Sequence, residues 1–504
     1  MMSATSERPW GERVLVAGAG VAGASAARFL LNQGVSVTVC DNRAAALEPL
    51  VAAGAAKVSP DTLIARPGWT ADFDLVVASP GFRPDNPLVV AAADAGLPVW
   101  GEVELAWQVD RSGVTGAPRQ WLVVTGTNGK TTTTGMIESI MAAAGVSVLA
   151  CGNIGLPVLD ALVAEPRIDV LAVELSSFQL FWAPSVRPTA GVVLNIAEDH
   201  LDWHGSMAAY VEAKAIALSG PIAVVGLDDP VAAGLRGSDP DGRTIGFRLG
   251  APGPGELGVV DGRLVDRVDW EASEDLSSVV PIDPVPLFDA DRVRPQGPSG
   301  VLDALAAAAL CRAVGVSAPA VAEGLDTFTV GGHRSAPVAI VGTTTFINDS
   351  KATNPHAAQA SILGHRRVVW VAGGLLKGAS VDELVIAIRD RLAGVVIIGA
   401  DRDIIKDAMT RHAPLVPTVT RVTGEDGAVN IAPASADPAS ADAVMDSAVR
   451  AAWDLCTADP DTPDAVVLAP AAASLDMFSG YGARGDSFAA SARALPGAQV
   501  LGAS

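Results

Sequence analysis

A glycine-containing turn, VVTGTNGKTTTT at residues 123–134, carries residue types that could bind the phosphates of a nucleotide. Backbone N–H groups between Gly126 and Gly129 can face phosphate oxygens, and Lys130 can reach the terminal phosphates. The hydroxyl of Thr131 can hold Mg²⁺. The spacing, G-x-x-G-K-T, is shorter than the common P-loop pattern G-x-x-x-x-G-K-S/T. The sequence therefore predicts a shortened phosphate-binding loop that opens a helix ending at Gly145.

A second glycine-rich turn, GAGVAG at residues 18–23, could bind a diphosphate. It follows the run RVLVAG, and a second run, VSVTVC, ends just before Asp41, where a dinucleotide-binding fold places its ribose carboxylate. A helix N-terminus with bare backbone N–H groups accepts any pyrophosphate, however. The pattern also fits a tight turn that binds nothing. A nicotinamide or flavin coenzyme, another diphosphate and a structural turn all remain open.

Polar residues follow two later strands. Glu174 ends the run DVLAVE, and Asp199, His200 and Asp202 follow the run AGVVLN. Ligands of open parallel sheets lie beyond the carboxyl ends of the strands, so we expect these side chains near the P-loop. Each alone is typical of an ordinary loop, but together with the P-loop they indicate a site for Mg²⁺ and phosphate. Lys214, in YVEAKAIAL, has by itself the character of an exposed helix lysine.

Short β-branched runs alternate with alanine-rich stretches, which predicts an α/β fold with doubly wound parallel sheets. The predicted strands are RVLVAG, VSVTVC, DLVVAS, QWLVVTG, DVLAVE, AGVVLN, TTFIND, RVVWVAG, GVVIIG and DAVVLAP. Gly, Pro and Asp are frequent in two interruptions, a hairpin and loop insertion near 236–298 and a surface segment near 423–440. Neither interruption has a functional interpretation.

Length and composition set the broad class. A chain of 504 residues suggests about three domains, predicted at 1–100, 101–328 and 329–504. The formal net charge of −21 argues against nucleic acid as a partner. Four dispersed cysteines without a CxxC pair favour a reducing compartment and argue against structural zinc. A polar start and the absence of a long apolar run predict a cytoplasmic protein without membrane insertion, which we expect to be a monomer.

Taken jointly, the motifs resemble those of the Mur ligases. The matching segments of the first two predicted domains are GTNGKT, GNIG at 152–155, ELSSFQL at 174–180, EDHLDWHG at 198–205 and YVEAK at 210–214. Those of the third are GGHR at 331–334, NDSKATNP at 348–355, AGGLLKG at 372–378 and APAAASLDMFSGYGARG at 469–485. The resemblance spans nearly the whole chain. It implies a Rossmann-like N-terminal domain, a central P-loop ATPase-like domain and a C-terminal Rossmann-like domain.

The resemblance also implies a reaction, an ATP-dependent amide ligation in peptidoglycan precursor synthesis, which serves cell-wall biogenesis, cell shape and cell division. Within this family, ELSSFQL, DSKATN and SLDMF point to addition of D-glutamate to UDP-N-acetylmuramoyl-L-alanine through an acyl phosphate, with release of ADP and phosphate. GAGVAG would then hold the UDP end of the substrate. The residues implied for UDP-substrate contact are Gly20, Val21, Ala22, Asp41, Asn42, Arg43, Ser79, Pro80, Gly81 and Asn153.

The remaining site residues are likewise implied by the resemblance. Those for ATP are Gly126, Thr127, Asn128, Gly129, Lys130, Thr131, Thr132, Arg334, Asp349 and Lys351. The implied catalytic residues are Lys130, Glu174, His200 and Lys214. Thr131 and Glu174 would hold a first Mg²⁺, and His200 a second one, supported by a CO₂-derived carbamate on Lys214. Thr353 and Lys377 would contact the side-chain carboxylate of D-glutamate, Ser474 and Tyr481 its α-carboxylate, and His333 and Arg334 would form a hinge.

The chain departs from the family pattern at two places. A His-Asn pair usually precedes the helix that here reads VLDALAAAAL, but this chain has Ser299 and Gly300, which leaves its adenine contacts open. Tyr481 stands where the family has Phe. The alternatives are another Mur ligase, a folylpolyglutamate synthase-like ligase, a nicotinamide-dependent oxidoreductase using GAGVAG, and a non-catalytic nucleotide-binding regulator.

Overall fold

The computed structural model describes residues 8–237, 243–270, 283–421, 438–459 and 461–501. The strands are β1 Arg13–Ala17, β2 Ser36–Cys40, β3 Ala56–Val58, β4 Leu75–Ala78, β5 Val99–Trp100, β6 Gln120–Thr125, β7 Val148–Gly152, β8 Val170–Glu174, β9 Ala190–Val193, β10 Ile222–Gly226, β11 Arg243–Phe247, β12 Glu256–Val260, β13 Arg263–Asp266, β14 Val285–Asp289, β15 Ala336–Val341, β16 Thr344–Asn348, β17 Val368–Gly373, β18 Leu392–Ile398, β19 Thr418–Thr420, β20 Ala465–Leu468 and β21 Ala498–Val500.

The α-helices alternate with these strands. They are α1 Val21–Asn32, α2 Ala44–Ala52, α3 Pro60–Ile64, α4 Pro87–Asp94, α5 Glu102–Ser112, α6 Lys130–Ala143, α7 Val158–Leu162, α8 Ser177–Phe181, α9 Leu201–His204, α10 Met207–Ala215, α11 Pro230–Ala233, α12 Pro298–Ala313, α13 Ala318–Thr327, α14 Pro355–Leu363, α15 Asp382–Ile388, α16 Arg402–His412, α17 Pro438–Ala458 and α18 Tyr481–Arg493.

Two sheets lie in a first compact unit, formed by Met1–Val293 and Gly300–Phe328. The first sheet is parallel, in the order β3-β2-β1-β4-β5. The second has the order β14-β13-β12-β11-β10-β9-β6-β8-β7 and is parallel from β7 to β12. Chain order reverses at β1 in the first sheet and at β6 in the second. Such reversals open the crevices in which α/β proteins bind ligands.

Burial explains why the central strands read as continuous apolar runs. In β1 every residue after Arg13 is buried, and all of β8 is buried, because helices cover both faces of a parallel sheet. One apolar core joins the first sheet to one face of the second, through residues such as Val16, Trp121 and Val173. The alanine-rich helix α12 is buried along most of its length against the other face of the second sheet. Small alanine side chains allow that close packing.

The second compact unit comprises Arg294–Ser299 and Thr329–Ser504. Its sheet has the order β19-β18-β17-β20-β16-β15-β21. The five strands from β19 to β16 are parallel, whereas β15 is antiparallel to both of its neighbours. Apolar cores cover both faces of this sheet. The carboxyl ends of β17, β20 and β16 therefore lie side by side at one edge.

The predicted mixed α/β fold with parallel sheets is confirmed, and each of the ten predicted strands is present. The predicted hairpin insertion is real: β12, β13 and β14 form an antiparallel meander that extends the second sheet. Residues 423–437 of the other predicted insertion lie outside the described residues. The predicted domain limits 1–100, 101–328 and 329–504 remain predictions, although the second unit resumes at Thr329.

Two further expectations from composition bear on the structure. All four cysteines are buried and unpaired. Burial raises the pKa of Cys40 to about 12, so that thiol is a poor nucleophile at neutral pH. Within the described ranges, no helix combines the length and the apolar composition that a membrane crossing requires.

Candidate active site

The GAGVAG turn contains two glycines that packing requires and one that faces open space. A Cβ on Gly23 would lie 1.8 Å from the carbonyl oxygen of Gly18, and Gly18 itself has φ +93°. Around a Cβ on Gly20, by contrast, the nearest atom is Nη2 of Arg43 at 3.9 Å. A ligand can therefore approach the backbone at Gly20, at the start of α1, with the exposed Arg43 guanidinium beside it.

The carboxylate of Asp41, which directly follows β2, already accepts hydrogen bonds from other groups of the chain. It accepts from the Ala19 backbone N–H at 2.7 Å, from the Arg43 backbone N–H at 2.8 Å and from the Arg43 guanidinium at 3.0 Å. These bonds, that of the guanidinium first, lower the pKa of Asp41 to about 2. A coenzyme ribose would have to displace these donors, which argues against the dinucleotide interpretation. Asp41 instead fixes Arg43 beside the glycine turn.

Ser79 follows β4, the strand next to β1, and brings the turn Ser79-Pro80-Gly81 to the same crevice. Its hydroxyl donates to the carbonyl of Gly18 at 3.1 Å. A Cβ on Gly81 would meet nothing within 4 Å, so this second turn is also open to a ligand. Asn42 is exposed at the end of β2. The predicted UDP-substrate residues of the first sheet thus line one switch point.

The shortened P-loop is held from the neighbouring strand by a residue that the sequence interpretation did not single out. Asn195, just after β9, accepts from the Asn128 backbone N–H at 2.9 Å and donates to the Asn128 carbonyl at 3.2 Å. The Thr127 hydroxyl donates to the Ala197 carbonyl and accepts from the Ala197 N–H. It also lies 3.0 Å from the hydroxyl of Tyr210. These bonds fix the loop before any ligand arrives, which preorganises its N–H groups.

Two lysines meet at one carbonyl of this loop. Lys130 donates to the carbonyls of Gly126 and Thr127 at 2.9 and 3.0 Å, and Lys214 donates to the same Gly126 carbonyl at 2.9 Å. Lys214 is only 2% exposed, so the exposed-lysine interpretation of YVEAKAIAL is wrong. Burial first, and the charge of Lys130 second, lower the pKa of Lys214 well below its usual value. The Lys214 amine is therefore easily neutralised.

Glu174 presents an oxygen that lacks a partner. Its residue pairs with Val124 of β6, its side chain is 1% exposed, and Oε1 accepts from the side-chain amide of Asn153 at 2.8 Å. Oε2 is buried without a hydrogen-bond partner among the described residues. An orphaned buried carboxylate oxygen is costly unless a cation or donor fills the gap. Glu174 therefore fits a Mg²⁺ ligand, and Asn153 orients it.

The other predicted metal ligands would need additional oxygen ligands to hold an ion. Among the described residues, no three His, Cys, Asp or Glu side chains group to hold a metal ion. His200 is the N-cap of α9 and has φ +55°. Its ring centroid lies 4.7 Å from that of Phe178 with the rings tilted by 55°, and an Asp199 carboxylate oxygen lies 3.4 Å from its Nδ1. A Mg²⁺ ion here would need oxygens beyond those of the chain, such as phosphate and water.

Asp303 is a second residue that the sequence interpretation missed. It is buried in α12, and a Cβ on Gly129 would lie 2.2 Å from its Oδ1. Position 129 also has φ +86°, a left-handed conformation that favours glycine. The only sequence signal was its place three residues beyond the departure at Ser299 and Gly300. Asp303 brings a carboxylate against the phosphate-binding turn.

The residues predicted for the amino acid, and Lys351 predicted for ATP, follow the three adjacent strands of the second unit. Lys351 and Thr353 follow β16, Lys377 follows β17, and Ser474 follows β20. Lys377 is exposed, with φ +53°, at the tip of its loop. Tyr481 begins α18, and its ring lies 4.1 Å below Nζ of Lys351. The second unit therefore places the exposed Lys377, the partly buried Lys351 and Thr353, and the buried Ser474 at the carboxyl end of its sheet.

The linker into this sheet is tied to the same edge. His333, with φ +64°, bonds through Nδ1 to the side-chain amide of Asn348 at 3.0 Å, and its carbonyl accepts from the Lys351 N–H at 3.2 Å. Asp349 has its pKa raised by burial, against the lowering effects of Ser361, Ser335 and the nearby Arg334. Arg334 and Asp349, both predicted for ATP, are thus neighbours.

Family models match the parts of the chain that carry the first crevice and the P-loop. A Mur ligase MurD-like N-terminal domain matches residues 12–101, and a Mur ligase middle domain matches residues 124–249. A UDP-N-acetylmuramoylalanine–D-glutamate ligase of Rhodococcus jostii is 57% identical over 486 residues, 95% of this chain and 94% of the relative. The chain belongs to this family of Mur ligases. A relative of the same name from Mycolicibacterium smegmatis is 54% identical over 502 residues, 97% of each chain.

Two solved structures share the fold. MurF from Acinetobacter baumannii gives a TM-score of 0.54 at 17% identity, covering 90% of this chain and 89% of that one. A pseudomurein peptide ligase type C from Methanothermus fervidus gives 0.53 at 18% identity, covering 95% and 99%. The family resemblance and the α/β architecture expected from the motifs are both confirmed.

Proposed function

We propose that this Mur ligase joins D-glutamate to UDP-N-acetylmuramoyl-L-alanine, using ATP and Mg²⁺. The observation that carries the proposal is the 57% identity, over nearly the full length of both chains, with a ligase named for that addition. The geometry supports it, because the P-loop, the orphaned Glu174 oxygen and the open glycine turn of the first sheet lie in one compact unit.

The reaction needs two displacements. The carboxylate at the alanine end of the UDP-linked substrate attacks the γ-phosphorus of ATP; the bond to ADP breaks, and an acyl phosphate forms. The D-glutamate amine then attacks the acyl carbon and loses a proton, so that a C–N bond forms and phosphate leaves. The first step brings two anions together, and it therefore depends on positioned cations.

Residues of both compact units would supply the contacts to the phosphates, the Mg²⁺ ions and D-glutamate. Lys130, held over the loop carbonyls, is placed to turn toward bound phosphates. Thr131 and Glu174 would hold a first Mg²⁺ ion, and His200 with a carbamylated Lys214 a second. Mg²⁺, when bound, supplies charge neutralisation between the carboxylate and the phosphates. In the second unit, Lys377 and Thr353 would bind the side-chain carboxylate of D-glutamate, while Ser474 and the backbone near Tyr481 would bind its α-carboxylate.

The carbamate proposal for Lys214 rests on its environment. An amine attacks CO₂ only in its neutral form, and it loses a proton as the N–C bond forms. Burial and the neighbouring Lys130 favour the neutral amine. The product is an anion next to the Lys130 ammonium, where a protonated Lys214 would be a second cation. Carbamylation would thus replace the repulsion between two ammonium groups with attraction between a carbamate and an ammonium group.

The setting of the enzyme is also a proposal. We place it in the cytoplasm, where ATP is supplied, and this location is supported by its four buried, unpaired cysteines. We propose further that it works as a monomer, with no nucleic acid among its partners, in line with its net charge of −21.

Phosphate release tests the assignment. We expect ADP and phosphate to form only when ATP, Mg²⁺, UDP-N-acetylmuramoyl-L-alanine and D-glutamate are all present. Omission of each component is the control, and L-glutamate, L-lysine and diaminopimelate are the competing amino acids. Equal turnover with L-lysine or diaminopimelate would contradict the assignment, and quenching of NADH fluorescence by the protein would revive the oxidoreductase alternative.

A further inference from the structure

Arg484 is a buried cation that joins separate loops of the second unit. Its side chain is 1% exposed. Nε donates to the Ser350 hydroxyl at 2.9 Å, Nη2 to the Ser350 carbonyl at 2.8 Å, and Nη1 to the carbonyls of Ala472 at 3.0 Å and Gly373 at 3.4 Å. One guanidinium group thus fills acceptors on three segments that are far apart in sequence.

Those three segments are the loops after β16, β17 and β20. The first leads from Ser350 to Thr353, the second from Gly373 to Lys377, and the third from Ala472 to Ser474. Arg484 therefore contacts the base of every loop whose tip is proposed to bind D-glutamate. It does not need to touch the substrate itself.

Helix stability does not explain this arginine. Arg484 lies in the first turn of α18, where the partial positive charge of the helix N-terminus disfavours a cation. Among the described residues it forms no salt bridge, and its N–H groups donate to backbone carbonyls and one hydroxyl group, while the charge of Asp476 also favours the buried guanidinium. Burial lowers the pKa of Arg484 only to about 10, so it stays charged at neutral pH.

Two further contacts show that the site fits the planar guanidinium group of an arginine. The Ser350 hydroxyl, which accepts from Arg484, donates in turn to the Tyr481 carbonyl at 2.8 Å. A Cβ on Gly374 would lie 3.2 Å from Nη1 of Arg484 and 2.1 Å from the carbonyl of Ala473, so the second loop passes close over the guanidinium. A lysine in this place has a single nitrogen and cannot reach all four acceptors.

We propose that Arg484 is a positioning residue for D-glutamate, which sets the spacing of the loops that carry Thr353, Lys377 and Ser474. This inference rests on the proposed function for the identity of the amino acid. The contact with the three loop bases is independent of that assignment. Loss of the fork should loosen the three loops together and weaken amino-acid binding more than the use of ATP or of the UDP-linked substrate.

The test uses the full-length protein with the substitution Arg484→Lys, which keeps the charge and removes the fork. We expect KM for D-glutamate to rise at least tenfold, while KM for the UDP-linked substrate changes less than threefold. Amide hydrogen exchange should accelerate in all three loops, near 350–353, 373–377 and 472–474. The matched control is Arg493→Lys, in the last turn of the same helix, whose side chain donates to the Val338 carbonyl. That variant should leave KM for D-glutamate and the three loops unchanged.

Each outcome decides the proposal. An unchanged KM for D-glutamate in folded Arg484→Lys overturns it, as does faster exchange confined to α18. If Arg484→Lys does not fold, Ser350→Ala removes the hydroxyl that Nε contacts, and it must raise the same KM and loosen the same loops for the proposal to stand. If the wild-type protein shows no D-glutamate-dependent phosphate release, the proposed function fails, and the exchange data alone still decide whether Arg484 couples the loops.

Discussion

At the scale of single residues, the pair Lys130 and Lys214 is the least expected feature. Both amines donate to the Gly126 carbonyl, and one of them is buried. Burial first, and repulsion by the Lys130 ammonium second, lower the pKa of Lys214, so the deeper amine becomes neutral more easily. The sequence marks both positions as lysine but does not show that they meet, because 83 residues lie between them and only the fold brings them together.

Removal of Lys214 tests its proposed anionic state. Lys214→Ala should lose nearly all activity, because the proposed carbamate that supports the second metal is gone. Acetate or formate in the buffer should restore part of the activity, since a small carboxylate can enter the space left by the side chain. Initial rates of phosphate release against acetate concentration are the measurement. Lys130→Ala is the control and should not respond to acetate, because it lacks a cation; full activity of Lys214→Ala without rescue would rule out the carbamate.

At the scale of elements, the sequence predicted the strands better than the contacts between them. Period and composition identify a buried strand such as β6, because a parallel strand must be apolar on both faces. Side chains that contact a loop distant in sequence leave no pattern in the sequence around them. The sequence therefore assigned no role to Asn195, Asp303 or Arg484, although each lies within a run quoted above. Glycine requirements in turns were predictable for the opposite reason, since backbone geometry is local.

A buried carboxylate couples helices α5 and α7 of the first unit. Glu102, at the start of α5, accepts from the Leu159 N–H of α7 at 2.7 Å through Oε1, while its Oε2 is buried without a partner among the described residues. Burial raises the pKa of Glu102 to about 7, against the lowering effect of the Leu159 bond. The contact between these helices is therefore sensitive to pH.

Glu102→Gln should reveal that sensitivity. The folded-state pKa of Glu102 lies above its ordinary value, so the folded protein holds a proton there that the unfolded chain releases. Stability from this group is full below about pH 4.5 and falls as pH rises toward 7, by up to about 3 kcal/mol. The glutamine variant has no proton to lose, so its Tm should fall less than that of the wild type between pH 5 and pH 8. The exposed Glu323→Gln should follow the wild type, and parallel profiles for all three proteins would contradict the prediction.

At the scale of the whole molecule, the residues predicted to bind ligands lie at the carboxyl ends of strands in each of the three sheets. We expect the substrates to be divided accordingly, with the UDP-linked substrate on the first sheet, ATP on the second and the amino acid on the third. Variants in different sheets should therefore impair different steps.

Lys130→Ala tests the first half of that division. Turnover should fall roughly 10²- to 10³-fold, the scale for loss of one preorganised electrostatic contact. Binding of UDP-N-acetylmuramoyl-L-alanine, measured by calorimetry without ATP, should stay within about threefold of the wild type because GAGVAG and Arg43 are untouched. Circular dichroism checks that the variant is folded. Loss of both functions in a folded variant would show that the two sites are not separate.

Lys377→Met tests the second half. D-glutamate must shed water from its side-chain carboxylate on binding, so it needs a charged partner, and Lys377 is exposed on the loop after β17. Methionine keeps a similar stem without the charge, which costs about 1.5 to 3 kcal/mol, or roughly a tenfold to 150-fold loss in kcat/KM for D-glutamate. Positional isotope exchange in ATP, measured with the UDP-linked substrate and no amino acid, should persist, because acyl-phosphate formation precedes use of that carboxylate. Lys406→Met, on the exposed face of α16, is the control and should match the wild type in both assays. Unchanged D-glutamate kinetics would place the side-chain site elsewhere, and loss of isotope exchange would mean that Lys377 serves the nucleotide instead.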